Sequence, residues 1–178
     1  MARTVQLKYS SKLHRIIDMA MQNRAGHTFH EKLEKGEPKI VDIPVRWEKT
    51  VGIGKMIILT PAIINDFLKT IPKGKLATVN TIRDKFAREF NVDSTCPLTT
   101  GIFLQIAVGA AEEDLAAGKK RIAPYWRVLK EGGKLNPKYP GGVQAQAKHL
   151  REEGFAIVKG KSENSWRVED FEDCLMKI

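Results

Sequence analysis

Three segments between Thr60 and Gly118 carry apolar residues at helical spacing, and each is bounded by residues that start or stop a helix. Thr60 followed by Pro61 is a strong start signal. Threonine caps the exposed amides, and proline fits the first helical position because its missing N–H has no intrahelical partner. Ile63, Ile64, Phe67, Leu68 and Ile71 follow on one face, and Pro72-Lys73-Gly74 breaks the run. A second helix is expected from about Thr81 to Phe90, with Ile82, Phe86 and Phe90 inward. Asn91 to Cys96 reads as a turn. Pro97 then opens a long helix through Ile102, Phe103, Ile106 and Val108 to about Ala117, where Gly118 ends it. A shorter helix, a turn and a longer helix are compatible with a helix-turn-helix, although periodicity alone does not separate that from any helical hairpin.

The flanks are less regular. Ser10 and Ser11 precede Leu13, Ile16, Ile17, Ala20 and Met21, the pattern of a capped helix ending before Gly26. Residues 26–39 are polar, of mixed charge, and read as loop. Ile40-Val41-Asp42-Ile43 is a short apolar stretch cut by Pro44, Met56-Ile57-Ile58-Leu59 reads as a strand, and Leu76 to Val79 as a short link. Val51-Gly52-Ile53-Gly54 lacks the third glycine of a dinucleotide fingerprint. Beyond residue 138, Val143 to Glu153 reads as a helix stopped by Gly154. Phe155 to Val158 and Ser165 to Val168 read as two strands of a hairpin, in the place where winged-helix domains often carry one. Glu169 to Ile178 is expected to form a short final helix.

Charge narrows the partners. The chain's 178 residues include 30 Lys+Arg and 21 Asp+Glu, a formal net charge of +9. Such a surplus favours an anionic partner, most simply nucleic acid. The sharpest excess lies at 119–138, where Lys119, Lys120, Arg121, Arg127, Lys130, Lys134 and Lys138 face only Glu131. A Gly- and Pro-containing basic segment suits loops over phosphates; the alternative is a solvated surface with accidental clustering. Residues 156–178 carry 4 Lys+Arg and 5 Asp+Glu, so the tail is not expected to drive phosphate binding. No apolar run approaches the ~20 residues of a membrane span, and the N-terminus lacks a secretory apolar core. Cys96 and Cys174 are too few for a disulfide framework, so a reducing cytoplasm is the expected setting, with nucleoid association in a bacterium.

Conventional catalytic patterns are sparse. His27 and His30 lie three apart, without the further ligands a zinc site needs, and read as surface or loop residues. His149 sits beside Lys148 and Arg151, where it meets phosphate or simply water. Cys96 at a helix start is suited to a stabilised thiolate, or is a buried inert cysteine. No cofactor is expected. The unusual stretch is Ile122-Ala-Pro-Tyr-Trp-Arg-Val-Leu129, which joins adjacent aromatics and an arginine inside the basic segment. Aromatics among cations suit stacking on an unstacked base. The competing reading makes Trp126 core and pairs Arg127 with a carboxylate.

Three blocks together resemble the DNA-binding domain of alkylguanine-DNA alkyltransferases, and more closely the alkyltransferase-like proteins. Phe67-Leu-Lys-Thr-Ile-Pro-Lys-Gly-Lys-Leu-Ala-Thr78 is similar to the family's helix followed by Ile-Pro-x-Gly-x-Val-x-Thr. Ile122 to Leu129 stands in the place of the active-site Ile-Pro-Cys-His-Arg-Val-Val. Tyr139-Pro-Gly-Gly142, followed by Glu153-Gly154, is similar to the family's Tyr-Ser-Gly-Gly to Glu-Gly segment. The resemblance spans residues 56–156 and implies a mainly α fold with a small β component, a winged helix-turn-helix-like DNA-binding domain. Residues 1–55 would be an N-terminal helical extension, and 157–178 a strand and short helix packing on the domain.

The resemblance also shows what this chain has replaced. The acceptor-cysteine slot is Tyr125 and the histidine slot is Trp126, while Glu153 keeps the glutamate. A phenol with a reference pKa of about 10 is mostly neutral at pH 7 and a poor nucleophile, so alkyl transfer is not expected. Ile106-Ala-Val-Gly109 resembles the family's Arg-Ala-Val-Gly, which puts Ile106 as an apolar wedge in place of the arginine that fills the gap behind a flipped base; aligning on Pro97 instead puts Gly101 in that slot. The resemblance implies a lesion pocket of Tyr125, Trp126, Tyr139 and Glu153. With a helix-turn-helix docked in a groove, Thr99, Thr100 or Gln105 would face the DNA and Ile106 would be the wedge, while the charge of the basic segment gives Arg127, Lys130 and Lys134 as phosphate contacts. The expected partners are double-stranded DNA and a downstream repair protein that receives the bound lesion. The rival from another class is a winged-helix regulator or protein-interaction module without lesion recognition.

Overall fold

A computed structural model of the chain describes residues 27–162 and 165–177. The helix expected after Ser10 and Ser11 lies outside the described residues. The described chain is mainly helical, with three small sheets.

The largest sheet is built from distant pieces. Strand β1 (Lys39–Asp42) pairs antiparallel with β2 (Lys55–Ile58), and β2 pairs in parallel with β4 (Ser94–Thr95). Between β1 and β2 lies a short helix, α2 (Glu48–Val51). Met56, Ile57 and Ile58 are buried, as an apolar run in a central strand should be. The stretch expected as a plain turn before Cys96 therefore contains a strand. Helix α3 (Pro61–Thr70) begins where Thr60-Pro61 places it, with the Thr60 hydroxyl accepting from the Ile63 amide at 3.3 Å. Helix α4 (Val79–Glu89) starts two residues before Thr81, because Thr78 and Thr81 cap each other reciprocally. Helix α5 (Pro97–Ala116) runs across α3 and α4.

The polar stretch 26–39 is not all loop. Residues Phe29–Leu33 form helix α1, closed at its start by a Thr28–Glu31 capping box. A second carboxylate reaches α1 from α5: Glu113 accepts from the amides of Phe29 at 2.7 Å and His30 at 3.2 Å. The Phe29 ring lies over Gly109, where any Cβ would collide with it. Residues 27–55 thus complete the sheet through β1 and cover part of α5.

A second small sheet positions the candidate site. Strand β3 (Ala77–Thr78) pairs in parallel with β5 (Val128–Leu129). What reads as a short link in sequence is therefore a strand, and its partner directly follows a 3-10 turn at Tyr125–Arg127. Helix α6 (Gly142–Glu152) buries Val143, Ala147 and Leu150 as its spacing predicts. The hairpin β6 (Ile157–Val158) and β7 (Arg167–Val168) forms with Ile157 opposite Val168. The expected terminal helix is only a 3-10 turn at Phe171–Cys174, after which the chain bonds to the Leu76 backbone on both sides. Two apolar clusters result, one around β2 and α3–α5, the other around Leu76, Leu129, Leu135 and α6. Trp126 packs against both.

Candidate functional site

The β3–β5 pairing fixes the backbone after Pro124, and α6 brings Glu153 up beside it. Tyr125, Trp126, Tyr139 and Glu153 consequently form one cluster. The Tyr125 ring meets Trp126 edge-on at 5.5 Å and Tyr139 edge-on at 5.2 Å between centroids. Such T-shaped contacts are favourable because ring edges are positive and ring faces negative.

Both tyrosines are buried. The Tyr125 hydroxyl donates to Glu112 Oε1 at 2.6 Å. Burial, and then the Glu112 carboxylate, push its ionisation well above the ordinary tyrosine range. Burial does the same to Tyr139, whose hydroxyl donates to the Val128 carbonyl at 3.3 Å. A phenol so held stays protonated near neutral pH and is a weak nucleophile.

Glu153 is the hub. The Trp126 indole Nε1 donates to it at 2.7 Å, and Arg127 reaches it through Nε at 2.8 Å and Nη2 at 2.8 Å. Arg127 Nη1 also donates to the Ile71 carbonyl at 2.5 Å. Burial would raise the Glu153 pKa, but the hydrogen bonds from Arg127 and Trp126 outweigh it and hold the carboxyl below its usual range, with Lys73 adding to the effect. The chemistry is that of a structural lock. The sole indole N–H and the guanidinium both point at one carboxylate, which leaves it no base function toward a neighbour.

Several side chains lie elsewhere than expected. Thr99 and Thr100 do not face outward: both are buried, with hydroxyls donating to the Cys96 carbonyl at 3.5 and 2.7 Å. Ile106 is buried as well, and lines a cleft together with Phe103, Lys32, Lys35 and Lys39. The physical reason is that α5 is apolar on nearly every side and is packed between α3 and α1, so it has no free polar face there. Gln105 is half-buried on the same helix. Arg127 is committed to Glu153 and Ile71 rather than to solvent. Lys130 and Lys134 are exposed, on the loop that closes through Lys130 N–H donating to the Lys134 carbonyl at 2.8 Å.

Two supporting residues carry more of the site than their sequence positions announce. Gln146 is buried on α6 and donates to the carbonyls of Trp126 at 3.0 Å and Val128 at 3.1 Å, while accepting from the Asn136 amide at 2.7 Å. It ties the aromatic turn to the basic loop. His149 stacks on Trp126 at 4.4 Å and 17°. A glutamine on the apolar side of α6, one position from Ala147, was the available signal for the first. Nothing local signalled the second.

Cys96 is buried at the start of α5. His27 and His30 pair with Glu31 and Asp114, each at 2.8 or 2.7 Å. Among the described residues no three His, Cys, Asp or Glu side chains gather as a metal site would require, and no helix is long and apolar enough to cross a membrane.

The site is an aromatic cluster locked by hydrogen bonds to Glu112 and Glu153. Among solved structures, the chain is similar to S. pombe Atl1 in complex with damaged DNA containing O6-carboxymethylguanine, at 22% identity and a TM-score of 0.46. That similarity covers 66% of this chain and 94% of the other. A second structure, S. pombe ATL in complex with DNA, is similar at 21% identity and a TM-score of 0.44, over the same shares of the two chains. No family model matches the chain, and no curated protein does.

Proposed function

We propose that this protein is a non-enzymatic, duplex-DNA-binding protein of the alkyltransferase-like kind. In this reading residues 56–156 form a winged helix-turn-helix-like domain with α4 and α5 as its helices, and residues 157–178, including the β6–β7 hairpin, pack on it. Residues 27–55 buttress α5. The observation that carries the reading is Tyr125: the three blocks put in the acceptor slot a phenol that is buried and hydrogen-bonded to Glu112. Lys130 and Lys134 hold phosphates. Arg127 acts one step back, by fixing Glu153 and the turn. The aromatic cluster of Tyr125, Trp126 and Tyr139 tests a guanine for alkylation, and bound lesions pass to a downstream repair protein.

A second reading has an observation of its own. Tyr125 and Tyr139 are packed by their neighbours, which suits a DNA-binding module that does not distinguish damage. A competition assay with one duplex, carrying or lacking a single alkylated guanine, separates the two. Tighter binding of the alkylated duplex is the expected result; equal affinity selects the second reading. Incubation with methyl-labelled DNA should leave no label on the protein, and label on Cys96 or Cys174 would contradict the non-enzymatic assignment.

A further inference from the structure

Residues 27–55 do more than cover α5: they also enclose a cleft. Helix α1 is fastened to α5 through Glu113 and the Phe29–Gly109 contact, and β1 is fastened to β2, with Lys39 opposite Ile58. The link from Glu34 to Pro38 spans these two anchors, and Gly36 turns it with a φ of 89°. That conformation is strained for any residue with a Cβ. Alongside the link lies a cleft of about 610 Å³, counted to its open mouth.

The lining is divided by chemistry. Ile58 and Leu59 at the end of β2, with Phe103 and Ile106 of α5, supply apolar surface. The link supplies charge: Lys35 and Lys39 are exposed, Lys32 joins them from α1, and Glu37 stands against the three. Lys35 and Lys39 form no ion pair among the described residues. Thr60 also lines the cleft, and the N-terminal end of the ten-residue helix α3 that it caps adds a partial positive charge. Water against the apolar part finds few partners, while the ammonium groups at its edge attract an anion. An apolar cleft of this size with a few placed charges is the general form of a small-molecule site.

We infer that this cleft binds a small organic anion, a carboxylate carried on a compact apolar body. The body lies on Ile58, Leu59, Phe103 and Ile106, and the carboxylate meets Lys35 and Lys39. A duplex backbone does not suit this lining, because its sugar and phosphate groups are hydrophilic and leave the apolar part unfilled. Burial of the apolar body supplies most of the affinity, and the lysines select an anion over a neutral molecule of the same shape. The charged side comes from residues 32–39, ahead of all three family-like blocks, and the site uses none of Tyr125, Trp126 or Lys130. It therefore goes beyond the DNA-binding reading and does not depend on it.

The test titrates octanoate and 1-octanol, which share an apolar body and differ in charge, into the full chain, followed by calorimetry and amide NMR. Octanoate should bind saturably and shift the amides of Ile58, Leu59, Thr60 and Ile106, and 1-octanol should bind about tenfold more weakly. Lys35→Gln/Lys39→Gln should lower octanoate affinity to that of 1-octanol and leave 1-octanol unchanged. Lys130→Gln/Lys134→Gln, with the same loss of charge elsewhere, should leave both ligands unchanged. All four lysines are exposed, and thermal midpoints within a few degrees of the parent confirm folding. Ile106→Phe fills the apolar part and should weaken both ligands; if that variant does not fold, the lysine pairs decide alone. Equal affinity for the two ligands, no saturable octanoate binding, or an equal loss in the Lys130/Lys134 variant overturns the anion site. None of these readouts involves DNA, so the DNA-binding reading stands or falls separately.

Discussion

Glu153 decides how the candidate site behaves. It satisfies Arg127 and Trp126 together, in a setting where both members of the ion pair are nearly covered, with side-chain exposures of 13% and 9%. Taking the charge from one partner leaves the other buried and uncompensated. Glu153→Gln should therefore lower unfolding free energy by about 2–3 kcal/mol, read from urea midpoints. Its pKa is depressed in the fold, so its contribution is full above the unfolded carboxyl value. That contribution is lost as pH falls through the lower folded value. The substituted protein should lose that part of the parent's acid sensitivity; an identical acid limb in both would contradict the role assigned to Glu153.

The same residues show what could be read in advance. Tyr125, Trp126, Tyr139 and Glu153 were set apart by short motifs with fixed order, and they do come together. That they lock onto one another was not legible, because the Glu112, Ile71 and Gln146 partners arrive from other elements.

At the level of elements, α5 and its cover matter most. Helix start signals are local, which is why Thr60-Pro61 and Pro97 mark their helices closely. The two-residue strands β3 and β4 have no such mark, since Ala77 finds Val128 and Ser94 finds Met56 only after the chain has folded. Helix α1 was signalled by Thr28 and Glu31 at capping-box spacing, but five residues of mixed charge hid it. The outward face expected of Thr99 and Thr100 is not seen for a different reason: before Glu112, α5 is apolar over most of its length and gives little clue to which side meets solvent.

The contact of Phe29 with Gly109 is where the extension and α5 meet most closely. Gly109→Ala places a methyl group against that ring. Because Phe29 is 38% exposed, the ring can swing away, so the cost falls on α1 rather than on the core. Limited proteolysis should cut faster around Phe29–Leu33 while the thermal midpoint moves by only a few degrees. A large fall in midpoint with no local cleavage would show that α1 is not a separable cover.

Among the described residues, the fold sorts charges that lie together in the sequence onto different surfaces. Composition located the excess at 119–138, yet Arg127 in that segment is internal, and cations from the nominally acidic tail join the exposed set. Sequence counts average over residues that the fold sorts onto different surfaces. This is also why the overall charge alone says little about which face meets a polyanion.

Affinity for a plain DNA duplex, measured across a salt series, tests the central claim most directly. Binding that weakens steeply, with a slope of log K against log salt of about −3.6 or steeper, is expected from four or more phosphate contacts. Binding that is absent at low salt, or that stays constant from low to moderate salt, would contradict a phosphate-binding face on this protein.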